Sequence, residues 1–318
     1  MQRKVFSPYV AIMLLYCGLA FPASAQKPES KSQVRPVTIP ISIFTKKELK
    51  ENQAQEYVQA ERIVVKEDNE EQQILSIRSV SDSPLSIAVL IQDDLSSGFN
   101  LQLKDIEEFI RTLPKGTHVM VAYSRSGALQ VRQKFTEDLE KAAKSLRIVV
   151  GSQGVAPRSP YDSINDLLGK FDAQPAGRRA IVMFSDGLDT TQGISLLSVL
   201  DSPDLDRATL KAQRKGVAIY SIYSPTALTE SASSSTLAFA AQGALGKISD
   251  DTGGRAFFSG TQAPINLIPF FREMVVALNR QFALTYLSTH MKKGYHAVKV
   301  SSTNPEVKIE HPRGYYYR

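Results

Sequence analysis

An almost unbroken apolar run, Leu85 to Ile91, gives the clearest secondary-structure signal in the chain. Its length and its valine and isoleucine content are typical of a strand that is buried on both faces of a parallel sheet. A polar cluster, Gln92 to Ser97, follows the run at once. Because open α/β sheets bind ligands outside the carboxyl ends of their strands, this cluster lies where a binding site is expected.

Strand and helix patterns alternate after this first strand. Apolar or alternating runs predict strands over Thr117 to Tyr123, Arg179 to Ser185, Val217 to Tyr223 and Ala256 to Phe258, with Ala128 to Gln133 as a hairpin partner. Helical spacing predicts helices over Leu101 to Leu113, Thr136 to Leu146, Tyr161 to Phe171, Leu205 to Lys215, Leu237 to Thr252 and Ile265 to Leu278. This order predicts an α/β fold with a doubly wound, mostly parallel, Rossmann-like sheet.

Both ends of the folded region have the alternation of antiparallel strands. Val37 to Phe44 is one such segment, and Pro40 favours a place at a sheet edge. The other segments are Ile63 to Lys66, Gln73 to Val80, Gln281 to Ser288, His296 to Ser301 and Val307 to Glu310, while Lys46 to Glu61 is a helix or a loop. We therefore expect small β-rich segments on both sides of the α/β domain, divided as 37–82, 83–280 and 281–318.

The first twenty-five residues have the pattern of a secretory signal peptide. A basic start at Arg3 and Lys4 precedes an apolar core, Val10 to Ala20, and the small residues Ala23 to Ala25 fit a cleavage site. The alternative is an uncleaved membrane anchor, but the apolar core is short for a membrane span. We expect residues 26–36 to be a linker and the mature protein to be secreted or periplasmic.

Composition excludes several classes of protein. The single cysteine, Cys17, lies in the predicted leader, so the mature chain has no disulfide and no thiolate metal site. The net charge of +6 comes without a dense basic tract, which argues against nucleic-acid binding. No later apolar stretch is long enough for a membrane span. The scattered histidines are expected to be structural or exposed: His118, His290, His296 and His311.

Oxygen-bearing side chains follow or flank the predicted parallel strands in three loops. The residues are Gln92, Asp93, Asp94, Ser96, Ser159 and Asp186. A set of oxygens without sulfur suits a hard divalent cation, Mg²⁺ or Ca²⁺. The alternative is that Asp94, Ser96 and Asp186 only cap helices and turns, as Asp and Ser often do.

The order of these motifs resembles the von Willebrand factor type A (VWA) domain, and in particular the secreted bacterial VWFA-related proteins of the acidobacterial type. The resemblance extends from Val37 to the C-terminus. It rests on the acidic and serine loop after the first strand, on Ser159 to Asp162, on Ser185 to Gly187, on Thr252 to Phe258 and on the tail Gly314 to Tyr316.

The resemblance implies a metal-ion-dependent adhesion site with the pattern Asp-x-Ser-x-Ser, then Thr, then Asp. The corresponding positions here are Gln92, Asp94, Ser96, Ser159 and Asp186. The first two depart from the pattern, since an amide replaces the first carboxylate and a carboxylate replaces a serine. A second register starting at Asp94 is also incomplete. A neutral first ligand weakens the attraction for a cation, so the site is expected to be degenerate, with Mg²⁺, Ca²⁺ or no ion bound.

These features favour an exported protein-binding module without enzymatic activity. The partner is expected to meet the face that holds Gln92, Asp94, Ser97, Ser159, Asp186 and Asp189. The resemblance implies that an acidic side chain of the partner would complete a metal with an open position. One alternative is a divalent-cation-dependent hydrolase with Asp93 or Asp94 as nucleophile or ligand. The other is a metal-free structural component of the cell envelope.

Overall fold

Two β-sheets contain the named strands of the residues that the structure describes. The structure is a computed structural model that describes residues 34–45, 63–80, 83–151, 158–175, 177–194, 199, 202–230 and 235–317. The described residues belong to the unit Val34–Arg318. The predicted signal peptide, the helix or loop over 46–61 and most of the predicted linker lie outside these ranges.

A mixed six-stranded sheet forms the centre of the α/β part. Its strand order is β6-β5-β4-β7-β8-β9. The strands are β4 (Ser86–Gln92), β5 (His118–Arg125), β6 (Ala128–Thr136), β7 (Arg179–Ser185), β8 (Ala218–Tyr223) and β9 (Ala256–Phe257). All pairs are parallel except β5 and β6, which form an antiparallel hairpin. The α/β class predicted from the sequence is confirmed.

Helices cover both faces of this sheet, which explains the apolar run of β4. Its residues alternate between two cores, with Val89 facing one and Leu90 the other. On the Val89 face lie α1 (Leu103–Thr112), α2 (Leu139–Lys144) and α7 (Ile268–Asn279). On the Leu90 face lie α3 (Pro160–Lys170), α4 (Pro203–Lys215) and α6 (Ser235–Thr252). The short α5 (Ala227–Glu230) follows β8.

Three predicted helices begin later than their patterns indicated, and the last of them, α7, begins at Ile268 rather than Ile265. A 3₁₀ helix, Ser97–Gln102, occupies the start of the first, and α1 begins only at Leu103. The second was expected from Thr136, but Thr136 is the last residue of β6 and pairs with Val119. Helix α2 begins after Asp138, whose side chain accepts the backbone N–H of Lys141 and so caps the first turn.

The strands at the two ends of the chain form one antiparallel sheet. Its order is β12-β1-β10-β3-β2-β11-β13. The strands are β1 (Arg35–Thr45), β2 (Ile63–Glu67), β3 (Glu70–Ser79), β10 (Gln281–Ser288), β11 (Gly294–Ser302), β12 (Val307–Glu310) and β13 (Gly314–Tyr317). Strand β12 pairs only with Ser42 to Thr45 of β1, so Pro40 lies in the half that pairs with β10 alone. No helix among the described residues is both long and apolar enough to span a membrane.

Candidate functional site

Polar side chains meet at the carboxyl ends of β4, β7 and β8, which we call the carboxyl edge. Gln92 ends β4 and Asp94 follows it, while Asp186 comes directly after β7. Because β4 and β7 are adjacent and parallel, their ends lie side by side. Thr226 after β8 and Arg158 before α3 complete the group, which we call the carboxylate network.

Asp186 is the centre of the carboxylate network and is fully buried. Its Oδ1 accepts the side-chain amide of Gln92 at 3.1 Å and the backbone N–H of Leu188 at 3.1 Å. Its Oδ2 accepts a guanidinium N–H of Arg158 at 2.8 Å and the hydroxyl of Thr226 at 2.8 Å. Two donors on each oxygen satisfy the carboxylate completely.

Gln92 joins the two carboxylates of the network through its amide nitrogen. The Nε2 atom donates to Asp94 Oδ1 at 2.9 Å and to Asp186 Oδ1 at 3.1 Å. Its Oε1 accepts the hydroxyl of Ser185 and, at 3.3 Å, the backbone N–H of Asp186. Every neighbour of the nitrogen is an acceptor and every neighbour of the oxygen is a donor, so the network fixes the orientation of the amide.

Arg158 joins the same two carboxylates from the other side. Its Nε lies 3.2 Å from Asp94 Oδ2, and its Nη2 donates to Asp186 Oδ2 at 2.8 Å. Only 6% of the residue is exposed. The backbone of Arg158 is held by Thr190, whose hydroxyl accepts the Arg158 N–H at 3.0 Å and whose N–H donates to the Arg158 carbonyl at 2.8 Å. The guanidinium is therefore a fixed part of the network.

Burial dominates the electrostatics of the network. It raises the pKa of the Asp186 carboxyl; the Arg158 guanidinium opposes this rise, and the Asp94 charge adds to it. Two acids and one guanidinium leave the network with one formal negative charge when both acids are ionised. Of the two acids, Asp94 is partly exposed and accessible to solvent, whereas Asp186 is not.

Asp93 points away from this network. Its Oδ1 accepts the guanidinium of Arg147 at 2.6 Å, and its Oδ2 lies 3.9 Å from Arg125. The Arg147 guanidinium stacks 4.1 Å from the ring centroid of Tyr123, whose hydroxyl donates to the Arg147 carbonyl at 2.7 Å. Burial raises the pKa of the Tyr123 hydroxyl. The acidic pair Asp93 and Asp94 is thus divided between two clusters.

The predicted serine ligands bond to other carboxylates. The Ser96 hydroxyl donates to Glu230 at 2.5 Å, and the Ser159 hydroxyl donates to Asp189 at 3.1 Å. Asp189 also accepts the hydroxyl and the N–H of Thr191 and therefore organises the loop after β7. Ser97 is exposed at the start of the 3₁₀ helix. Of the predicted site residues, Gln92, Asp94 and Asp186 come together, whereas the serines do not join them through hydrogen bonds.

An exposed apolar surface lies on segments that are hydrogen-bonded to the residues after β4. We call it the apolar rim, and its four residues are between 65% and 100% exposed: Leu101, Ile148, Val150 and Ile265. Asn100 pins the loop between Ile148 and Val150, because its side chain accepts the Val149 N–H at 2.8 Å and donates to the Val149 carbonyl at 3.3 Å.

Two further contacts hold the segments of the apolar rim, and the first of them reaches the carboxyl edge. The Gly151 N–H donates to the Asp93 carbonyl at 3.3 Å, and the Gln102 amide donates to the Pro264 carbonyl, next to Ile265. The backbone segments that carry the rim residues are therefore fixed by hydrogen bonds.

A second polar cluster lies on the antiparallel sheet and was not predicted. Glu67, Asp68 and His290 place one potential ligand atom each within 4.8 Å of one another. Glu67 is fully buried, and its Oε1 accepts the hydroxyls of Tyr315 at 2.7 Å and Ser288 at 2.9 Å. These residues come from distant parts of the chain, so nothing in the spacing of its histidines revealed the cluster.

Sequence reasoning also missed Arg158 and Thr226 at the carboxyl edge. The available signal for Arg158 was its place directly before Ser159, in a loop already associated with the acids. Thr226 lies just after β8, and the rule that open α/β sheets bind ligands at the carboxyl ends of their strands would have placed it at the site.

Comparison with known proteins gives structural matches only. No known family profile and no curated protein match the chain. A von Willebrand factor type A structure from Catenulispora acidiphila is 11% identical, covering 82% of this chain and 76% of its own, with a TM-score of 0.44. Manganese-loaded TRAP from Plasmodium vivax is 10% identical, covering 78% and 96%, with a TM-score of 0.41.

BatB from Bacteroides thetaiotaomicron is 16% identical, and the match covers 44% of this chain but only 66% of BatB, with a TM-score of 0.32. At such identities and TM-scores these structures assign no ligand, partner or residue role to this chain. The chain's own motifs, at the carboxyl edge of its mostly parallel, helix-covered sheet, resemble those of the VWA domain.

Proposed function

We propose that this chain is an exported protein-binding module whose partner docks on the carboxyl edge. The observation that carries the proposal is the apolar rim, whose segments are hydrogen-bonded to the residues that follow β4. Large apolar side chains that stay exposed on loops held in place suit an interaction surface. Export rests on the signal-peptide pattern of residues 1–25.

The rim supplies the apolar part of the proposed contact. Ile148 and Val150 project from a loop whose backbone is fixed by Asn100, so little conformational entropy is lost when a partner covers them. Burial of one such side chain contributes about 1.5–3 kcal/mol.

Arg125 supplies a charged contact next to the rim. Its side chain is 64% exposed and stays 3.9 Å from the buried Asp93, so its guanidinium has donors left for a partner. An acidic side chain on the partner would pair with Arg125 directly. This gives the expected acidic contact a physical basis within the chain itself.

The pairing of the acids favours binding over catalysis. Asp93 is engaged by Arg147, and Asp94 by Gln92 and Arg158, so neither carboxylate resembles a free nucleophile. Among the described residues, the histidines lie at the start of β5 or in the antiparallel sheet and its connecting loops, away from the carboxyl edge. We therefore propose a non-enzymatic role rather than hydrolysis.

Site-specific photo-crosslinking in the producing cells tests this surface. A benzophenone amino acid at Val150 is expected to give a discrete protein adduct, while the same probe at Leu75, an exposed apolar residue of β3, gives none. Introducing Ile148→Asp beside the Val150 probe is expected to reduce the adduct about tenfold or more, because an apolar contact is replaced by a charge.

Thermal unfolding provides the control, since Ile148 is largely exposed and Ile148→Asp is expected to leave the melting temperature nearly unchanged. Equal adducts at Val150 and Leu75, or no adduct at any rim position, would reject the proposed face and favour the structural envelope component.

A further inference from the structure

We propose that the guanidinium of Arg158 takes the place of a divalent cation at the carboxyl edge. The face then carries its own permanent cation and works without a metal. This goes beyond the proposed binding function, because it concerns what holds the carboxyl edge together whether or not a partner binds there.

The residues present do not fit a metal ion, and Asp186 shows why. A carboxylate ligand needs a free lone pair that faces the ion. Asp186 accepts four hydrogen bonds, from Gln92, Leu188, Arg158 and Thr226, and a carboxylate offers about four acceptor positions. An ion would have to displace donors that already satisfy a fully buried group.

Gln92 and Arg158 present hydrogens where a cation would need oxygens. The Gln92 amide bridges the Oδ1 atoms of Asp94 and Asp186, and the Arg158 guanidinium spans their Oδ2 atoms. A divalent cation between the acids would be repelled by the guanidinium. Expelling the buried guanidinium would separate it from both of its carboxylate partners.

The departure from the adhesion-site pattern at Gln92 and the buried Arg158 therefore act together. An amide at position 92 removes one negative charge, and Arg158 supplies one positive charge that pairs with those remaining. An arginine suits this place because its guanidinium donates to Asp186, lies within ion-pair distance of Asp94 and stays protonated at any physiological pH.

Thermal unfolding of the purified protein with EDTA and then with millimolar MnCl₂ tests the assignment. The response to Mn²⁺ is expected to be the same in the wild type and in Asp94→Asn, because no ion uses Asp94. The comparison between the two proteins removes any response that comes from the Glu67, Asp68 and His290 cluster. A Mn²⁺-dependent rise in melting temperature that Asp94→Asn abolishes would overturn the proposal.

The double variant Gln92→Asp/Arg158→Ser tests the same idea by gain of function. It restores the first carboxylate and removes the internal cation, so Mn²⁺ is expected to raise its melting temperature by about 5 °C at saturating concentrations. Adding Asp94→Asn to this variant is expected to abolish the rise. A folded double variant that does not respond to Mn²⁺ would show that the guanidinium is not what excludes the ion.

Discussion

Replacing Arg158 by methionine is expected to lower the free energy of unfolding by about 3–5 kcal/mol at neutral pH, because it leaves a buried carboxylate without its counter-charge. Asp186 is fully buried and loses its donor at 2.8 Å, while Asp94 loses a guanidinium at 3.2 Å. Urea denaturation followed by circular dichroism measures the change.

The loss is expected to grow as the pH rises. A carboxyl whose folded pKa exceeds its unfolded value stabilises the fold below the unfolded pKa, and this contribution is lost as the pH rises through the folded pKa. The Asp186 pKa is already raised, and removing the guanidinium that opposes this rise raises it further. The difference between Arg158→Met and the wild type should therefore be smallest near pH 4 and largest near pH 8, roughly the interval above the unfolded Asp pKa.

Two comparisons separate this effect from the stability cost of removing any arginine. Arg207→Met removes a 60% exposed arginine that pairs with Asp162 and Asp204 on the surface, and it is expected to cost less than about 1 kcal/mol. Adding Asp186→Asn to Arg158→Met is expected to recover part of the stability, because the unpaired charge disappears. Equal costs for Arg158→Met and Arg207→Met would contradict the central place given to Arg158.

The sequence located the buried strands well because burial on both faces leaves an apolar run. Strand β7 was predicted residue for residue, and β4 within one residue. The pattern failed where pairing decided the structure, as at Thr136, which continues β6 by pairing with Val119. Amphipathic spacing near a strand end does not reveal such a partner.

The order of the antiparallel sheet could not be predicted from alternation. Each strand shows which of its faces is buried, but its neighbours lie far away in the chain, as in the pairing of Arg35 with Ser288. The same distance hid the polar cluster around Glu67, which joins residues from both ends of the described chain.

At the site, Gln92, Asp94 and Asp186 were expected to meet, because each lies at the carboxyl end of a predicted parallel strand and such ends meet at one edge of the sheet. It could not predict the direction of Arg158, which depends on the pairing of its backbone with Thr190. The departure at Gln92 was visible in the sequence. The buried Arg158 guanidinium, which lies beside both acids, is seen only in the folded chain.

Gly254→Ala is expected to lower the free energy of unfolding by about 3 kcal/mol or more, because a methyl group has no room there. A Cβ at this position would lie 2.1 Å from the carbonyl oxygen and 2.6 Å from the carbonyl carbon of Ile219, which belong to the backbone of β8 and cannot rotate away. The Gly254 N–H also donates to the Ser249 carbonyl at 2.9 Å, which holds the loop to the end of α6, and the Ser221 N–H of β8 donates to the carbonyl of the next residue, Arg255, at 3.0 Å.

Gly246→Ala is the matched control, since Gly246 lies inside α6 with no atom within 4 Å of its would-be Cβ. It is expected to stabilise the protein by about 0.5–1 kcal/mol, because alanine favours a helix interior over glycine. Urea denaturation of both variants gives the comparison. Opposite signs for two glycine-to-alanine changes eight residues apart would show that the packing of the loop against β8 requires a glycine at position 254. A tolerated Gly254→Ala would mean that the loop after α6 does not approach β8 this closely.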